Sequence, residues 1–190
     1  MQQTMKLTLP ELFQESLKKN RDETFLSFVG KQPLTYKDAK AKVDASIRFL
    51  EELGIKSGDK VAILSANMPN WGIIYLATAT MGAVAVPILP DFQPAEINNV
   101  LAHSETKTIF VSHGLIKKID EEAKALLSNI IRVDDFAVIR SENPNASFNA
   151  DTTPTSSYTV EEEDLASIIY TSGTTGKSKG VMLSHKNIAY

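Results

Sequence analysis

The sequence Tyr170-Thr-Ser-Gly-Thr-Thr-Gly-Lys-Ser-Lys-Gly180 stands between two apolar segments, residues 165–170 and 181–183. Its three glycines allow the backbone to turn tightly and to direct several amide N–H groups toward one point. Its threonine and serine hydroxyls add neutral hydrogen-bond donors, and its two lysines add positive charge. The pattern therefore predicts a phosphate-binding loop carried between the two strands of a hairpin.

Other glycine-rich phosphate motifs fit this stretch less well. A Walker loop, G-x-x-x-x-G-K-[ST], shares the ending Gly176-Lys177-Ser178, but it needs glycine where the chain has Thr171, and it opens a helix rather than a strand. The dinucleotide-binding and protein-kinase loops need G-x-G-x-x-G, a spacing that is absent here. The remaining alternative is a flexible hairpin without a ligand, which the two lysines and the flanking strands disfavour.

Segments with strand and helix patterns alternate through the first 140 residues. Residues 60–65 form a continuous apolar run, which is typical of a parallel strand buried on both faces. Between residues 36 and 53, apolar side chains recur at three- and four-residue steps, which indicates an amphipathic helix. The same reading predicts strands over 24–29, 83–89, 107–112 and 130–133, and helices over 9–19, 70–81, 94–103 and 115–127. The fold class is therefore α/β, with a mainly parallel sheet flanked by helices.

Composition excludes several classes of function. The chain has 190 residues, a net charge of −3, no cysteine and three histidines, which disfavours nucleic-acid binding, disulfides and thiolate or histidine metal sites. Residues 61–90 carry no charge, but asparagines, glycine and prolines divide them, which favours strand, turn, helix and strand over a membrane span. The first residues lack an apolar signal core, so we expect a cytoplasmic protein. Residues 140–164 are polar and acidic and predict an exposed loop or linker.

The glycine-rich stretch closely resembles the phosphate loop of the AMP-binding, adenylate-forming superfamily, which includes acyl-CoA synthetases, peptide-synthetase adenylation domains and luciferases. The family usually has proline where this chain has Ser178. Three upstream segments also resemble the family: Leu34-Thr-Tyr-Lys-Asp38, Asn67-Met-Pro-Asn-Trp71 and Gly82-Ala-Val-Ala-Val-Pro87. The upstream sequence, particularly Asn67–Trp71 and Asn98-Asn-Val-Leu-Ala-His-Ser104, looks most like long- and medium-chain fatty acyl-CoA synthetases.

The resemblance implies a two-step reaction. A carboxylate attacks the α-phosphate of ATP, pyrophosphate leaves, and the acyl group then passes from AMP to a thiol, commonly coenzyme A. The implied cofactors are ATP, Mg²⁺ and coenzyme A, and the implied substrate is a fatty acid or another carboxylic acid. Nucleic acid is not an expected partner, whereas peripheral membrane association through an acyl substrate is compatible with this chemistry.

The resemblance also assigns roles to single residues. The residues that would bind the ATP phosphates are Ser172, Gly173, Thr174, Thr175, Gly176 and Lys177, followed by Gly180. Lys179 would add a second positive charge that positions the loop or its strand, and Thr171 is a candidate Mg²⁺ ligand. His185 either belongs to the start of the helix that Ser184 caps or, as the resemblance implies, lies near the nucleotide and acyl pocket.

In this family an acidic Mg²⁺ ligand, a ribose-binding aspartate and an adenylation lysine come later in the chain. We therefore expect residues 1–190 to be the N-terminal portion of an AMP-binding domain that does not catalyse the reaction alone. Two alternatives stay open: a stand-alone nucleotide- or phosphate-binding module, and the adenylation domain of a peptide synthetase.

Overall fold

The computed structural model describes residues 6–171 and 179–190. Six α-helices occur in this part of the chain: α1 (Leu9–Asn20), α2 (Tyr36–Glu52), α3 (Pro69–Thr80), α4 (Pro94–Ser104), α5 (Glu121–Leu126) and α6 (His185–Ala189). The strands described are β1 (Thr24–Leu26), β2 (Leu34–Thr35), β3 (Lys60–Leu64), β4 (Val84–Ile88), β5 (Thr108–Val111), β6 (Asn129–Arg132), β7 (Val138–Arg140), β8 (Leu165–Thr171) and β9 (Lys179–Ser184).

Seven strands form one sheet in the order β7-β6-β5-β3-β4-β8-β9. The five central strands are parallel, and the two outer strands, β7 and β9, pair antiparallel to their neighbours. Strands β1 and β2 form a separate two-stranded sheet. The predicted α/β fold with a mainly parallel, helix-flanked sheet is confirmed, and so is the hairpin near the end of the chain.

The two faces of the sheet are covered by different helices. Ile63 points to the same side as α2 and α3 and packs in one apolar cluster with residues such as Leu50 and Ile74. Leu64, its neighbour along the strand, packs on the other side in a cluster that contains Leu101 of α4. Burial on both faces explains why β3 is a continuous apolar run, as the sequence predicts.

The uncharged segment 61–90 is not a membrane span. It divides into the end of β3, helix α3 and strand β4, as predicted from its asparagines, glycine and prolines. Among the helices of the described ranges, 6–171 and 179–190, none combines the length and the apolar character needed to cross a bilayer.

The single helix predicted over residues 115–127 is wrong. A short 3₁₀ helix, His113–Lys118, is followed by α5, and Asp120 separates the two. The Asp120 carboxylate accepts a hydrogen bond from the Ala123 backbone N–H at 2.9 Å and so caps α5. The Asn98 side-chain amide donates a hydrogen bond to the same carboxylate at 3.1 Å, which fixes the position of Asp120 between the two helices.

Residues 141–164 contain no helix or strand, yet they contact the body of the domain at defined points. Ala146 and Val160 are buried, and the Phe148 ring stacks on Phe136 with 4.2 Å between the ring centroids. The Glu51 carboxylate, at the end of α2, accepts hydrogen bonds from the backbone and side chain of Thr155 and from the Tyr158 hydroxyl. Residues 155–158 are therefore tied to the end of α2.

Candidate functional site

The pairing of β8 with β9 runs from Leu165 with Ser184, at the base of the hairpin, to Thr171 with Lys179, the residues that flank 172–178 in the sequence. The predicted phosphate ligands that lie outside the described residues are Ser172, Gly173, Thr174, Thr175, Gly176 and Lys177. Their roles stay predictions, and the described geometry concerns the residues that hold the two ends of the loop.

The loop begins at the carboxyl edge of the parallel sheet. Strand β8 runs parallel to β4, so Thr171 lies at the same edge as the ends of β3, β4 and β5. At this edge the chain passes from β3 to a helix on one face and from β4 to a helix on the other. Ligands of open α/β sheets bind outside this edge, so Thr171 lies at the edge where such a fold places its ligand.

Thr171 and Lys179 are direct partners across the hairpin. Directly opposed residues of an antiparallel pair lie on the same face, so the side chains of Thr171 and Lys179 project from the same face of the hairpin. Both residues are exposed. A neutral donor beside a cation fits a phosphate group, which is the role that the sequence predicts for this end of the hairpin.

Gly180 lies beneath the ring of Tyr170, its partner in the hairpin. A Cβ atom at Gly180 would lie 3.1 Å from Tyr170 Cζ and 2.9 Å from Cγ2 of Ile168. Tyr170 is buried, and its hydroxyl lies 2.7 Å from Nδ1 of His103 in α4. Burial raises the pKa of the Tyr170 hydroxyl, which keeps it protonated. These contacts fasten the hairpin to α4 close to the loop.

A methyl group at position 180 tests this packing. In Gly180→Ala the added Cβ must displace the Tyr170 ring or the stiff, β-branched Ile168, and we expect a loss of about 1–3 kcal/mol in the free energy of unfolding. Urea denaturation of the two proteins measures this loss. Gly114→Ala is the matched control, because nothing lies within 4 Å of a Cβ at that position. Equal stabilities for both variants would contradict the packing described here.

His185 lies at the other end of the hairpin from the loop. It is the first residue of α6, directly after Ser184, whose side chain caps that helix. Along β8 the pair Leu165–Ser184 lies six residue steps from the pair Thr171–Lys179, which corresponds to about 20 Å. The structure therefore does not bring His185 together with Thr171 and Lys179, and its position agrees with the helix-start interpretation. A role near the nucleotide or acyl pocket stays a prediction.

The described residues do not form a metal site by themselves. No group of three or more His, Cys, Asp or Glu side chains within residues 6–171 and 179–190 could hold a metal ion. Thr171 offers a single hydroxyl, which is a weak partner for Mg²⁺ without carboxylates or phosphate oxygens. Any Mg²⁺ role of Thr171 therefore depends on oxygen ligands that other groups supply.

His103 and Tyr170 are the contacts that sequence reasoning missed. His103 is an exposed residue of α4, and its ring contacts Tyr170, the last buried residue before the loop. Their separation of 67 residues carries no sequence signal. The one available indication was Tyr170 itself, because a buried tyrosine hydroxyl usually finds a hydrogen-bond partner.

Comparison with known proteins identifies the family. The model of the family described as AMP-binding enzyme matches residues 13–190. The chain belongs to the AMP-binding enzyme family. The match covers nearly all of the α/β domain, including the hairpin, so the resemblance seen in the sequence is confirmed.

Relatives within the AMP-binding family fall into different enzyme classes. The medium-chain fatty-acid–CoA ligase of Escherichia coli (strain K12) is 36% identical over 147 residues, which cover 71% of this chain and 25% of the ligase. Tyrocidine synthase 2 of Brevibacillus parabrevis is 31% identical over 182 residues, which cover 96% of this chain and 5% of the synthase. Both relatives therefore share the family with this chain, and their sequence identities do not decide to which class of acid ligase the chain belongs.

The fold of an AMP-binding family member of known structure agrees with this one. The N-terminal domain of FACL13 from Mycobacterium tuberculosis superposes with a TM-score of 0.78 at 25% identity, over 95% of this chain and 45% of that domain. The chain thus spans less than half of the N-terminal domain that it matches. It spans a quarter or less of the two curated relatives.

Proposed function

We propose that this chain is the N-terminal portion of an acyl-CoA synthetase. The enzyme activates a carboxylic acid with ATP to form acyl-AMP and pyrophosphate, and then transfers the acyl group to coenzyme A. In this proposal residues 171–180 bind the β- and γ-phosphates of ATP, which is carried with Mg²⁺. The acid is a fatty acid of medium or long chain, by similarity to the ligase from E. coli.

The position and chemistry of the hairpin support the proposal. The first step transfers negative charge to the leaving pyrophosphate, so it needs preorganised donors and positive charge at that group. Thr171 and Lys179 supply a hydroxyl and an ammonium group at the two ends of a glycine-rich loop. The Tyr170–His103 contact and the packing over Gly180 hold the strand ends in place, so Thr171 and Lys179 are positioned before phosphate binds.

A peptide-synthetase adenylation domain is the second candidate. The observation in its favour is the longer match to tyrocidine synthase 2, which covers 96% of this chain, against 71% for the fatty-acid ligase. Both candidates share the adenylation step and differ in the acid and in the thiol that receives it. A stand-alone phosphate-binding module is the third reading, and it requires no acid at all.

Acid-dependent exchange of labelled pyrophosphate into ATP tests the proposal on the natural gene product that carries this sequence. We expect exchange with fatty acids of medium or long chain, followed by acyl transfer to free coenzyme A. Exchange with amino acids only, and acyl transfer only to a carrier domain, would instead assign the chain to a peptide synthetase. Tight ATP binding without exchange for any carboxylic acid would support the stand-alone module.

The 190-residue chain by itself makes a useful second sample. We expect no measurable exchange from it, because it spans less than half of the N-terminal domain that it matches. Clear turnover by the isolated chain would show that these 190 residues are sufficient for exchange, which would contradict this part of the proposal.

A further inference from the structure

The base of the β8–β9 hairpin is joined to the start of α1 by a cluster that the proposed function does not use. Three segments meet there: residues 6–9, residues 161–164 and residues 184–186. We call this set the N-terminal clasp. The contacts that residues 6–9 make with the other two segments join positions 155 and 176 residues apart in the sequence, so each of them closes a long loop.

His185 is the buried centre of the clasp. Its side chain has no solvent exposure. Nδ1 accepts a hydrogen bond from the Leu9 backbone N–H at 3.3 Å, and the His185 backbone N–H donates to the Asp164 carbonyl at 3.0 Å. The accepting Nδ1 requires the neutral ring, with the proton on Nε2. His185 therefore joins two segments, since its ring contacts the first turn of α1 and its backbone contacts the segment before β8.

Protonation of this ring would break the link. An imidazolium has two N–H donors and no acceptor. The Nδ1–H and the Leu9 N–H would then be two donors pointing at each other, with no hydrogen bond between them. Nε2 is buried, and no described residue lies within hydrogen-bonding distance of it. A charged ring would therefore be buried without a bond to stabilise its charge, which is costly.

The charges around His185 do not compensate for this burial. Asp164 is the acidic residue whose charge favours protonation, and burial outweighs it, so the pKa of His185 is lowered from its ordinary value of 6.5. The Asp164 carboxylate already accepts the Glu161 backbone N–H at 2.8 Å. Two other carboxylates of this segment are also engaged, since Glu161 pairs with Lys6 and Glu162 accepts the Leu7 N–H at 2.9 Å.

The remaining charged groups at the clasp come from α6 and α1. Lys186 follows His185 and pairs with Glu163 at 3.2 Å and with Glu162 at 3.7 Å. On α1, Glu11 lies in the first turn, near Lys6. The paired residues at the base of the hairpin, Leu165 and Ser184, carry no charge. These exposed pairs are weak and screened, so the buried hydrogen bond of His185 is the part of the clasp that responds to protons near neutral pH.

We propose that His185 makes the N-terminal clasp sensitive to pH. The neutral ring holds the start of α1 against the base of the β8–β9 hairpin, and the protonated ring releases it. The released state binds one proton more than the closed state. The closed state is therefore fully favoured above pH 6.5 and loses stability as pH falls below that value. The lost stability reaches its limit once the pH is below the lowered pKa of the folded protein. The proposal is independent of ATP chemistry, and its failure would leave the proposed function unchanged.

Amide hydrogen exchange of the chain, measured by NMR between pH 5 and 7.5, tests the clasp. We expect the protection factor of the Leu9 amide to be constant above pH 6.5 and to fall by up to about tenfold per pH unit below it. The amides of β3, in the centre of the sheet, should keep their protection over the same range. A Leu9 protection factor that does not change with pH would overturn the proposal, and so would a parallel loss at Leu9 and β3, which indicates global unfolding.

The variant His185→Asn gives the matched comparison. An asparagine Oδ1 can accept the Leu9 N–H as Nδ1 does, but it does not titrate, so Leu9 protection should become independent of pH. The exposed His113→Gln is the control and should keep the wild-type dependence. The same pH dependence in His185→Asn as in the wild type would overturn the proposal. If that variant does not fold, the ring titration of His185 and the Leu9 protection factors of the wild type still decide the question.

Discussion

Replacing Lys177 by alanine is expected to lower acid-dependent ATP–pyrophosphate exchange about 100-fold in the natural gene product. The proposal places this ammonium group at the β- and γ-phosphates, where charge develops as pyrophosphate leaves. Removing one preorganised donor from such a site typically costs this much in rate. The measurement is the initial rate of label incorporation at saturating acid, with ATP varied to separate binding from the chemical step.

Lys124→Ala is the control for the Lys177 experiment. Lys124 lies on α5, away from the hairpin, in an exposed pair with Glu121 at 2.7 Å. Exposed pairs contribute little, so we expect the exchange rate to change by less than about twofold. Equal exchange rates for Lys177→Ala and Lys124→Ala would contradict the assignment of Lys177 to the phosphates.

The second large effect is expected at Glu51, near the end of α2. Its carboxylate accepts hydrogen bonds from Thr155, Ser156 and Tyr158 and thereby ties residues 155–158 to α2. Its side chain is 9% exposed. Glu51→Ala leaves these donors without their acceptor, and we expect a loss of about 2–4 kcal/mol in the free energy of unfolding by urea. Glu52→Ala is the control, because the Glu52 side chain is 25% exposed and its carboxylate accepts the Ser147 backbone N–H at the longer distance of 3.4 Å.

The pH dependence of stability provides an independent test of Glu51. Burial alone would raise the pKa of this carboxyl, but the hydrogen bonds from Thr155, Tyr158 and Ser156 lower it below its ordinary value of 4.5. The unfolded chain therefore takes up the proton first, and the contribution of Glu51 is complete above pH 4.5 and is lost as the pH falls below it. Glu51→Gln should flatten the unfolding free energy in that range. An unchanged acid profile would contradict the role of the charge.

The fold was largely predictable from local patterns in the sequence. The continuous apolar run of β3 and the three- and four-residue steps of α2 report directly on how these elements are buried. The helix predicted over 115–127 failed because periodicity does not register a capping residue. Asp120 ends one helical segment and starts another, and Asn98 holds it there from a different helix.

The site was predictable in its chemistry and only partly in its geometry. Glycine spacing and flanking strands locate the phosphate loop in a hairpin, because those signals are contiguous in sequence. The contacts that support the loop are not contiguous: His103 reaches Tyr170 across 67 residues. His185 shows the same limit. The motif gives the number of residues between His185 and the loop, but it does not show that His185 lies at the opposite end of the hairpin.

The most direct test of the central claim is amide hydrogen exchange, read by mass spectrometry, on the natural gene product with and without saturating Mg·ATP. If the β8–β9 hairpin binds the phosphates of ATP, peptides that cover residues 171–180 should exchange more slowly with the nucleotide present, while peptides from residues 138–150 should not change. Saturating Mg·ATP that leaves residues 171–180 unchanged and slows exchange elsewhere would contradict the assignment of this hairpin to the nucleotide.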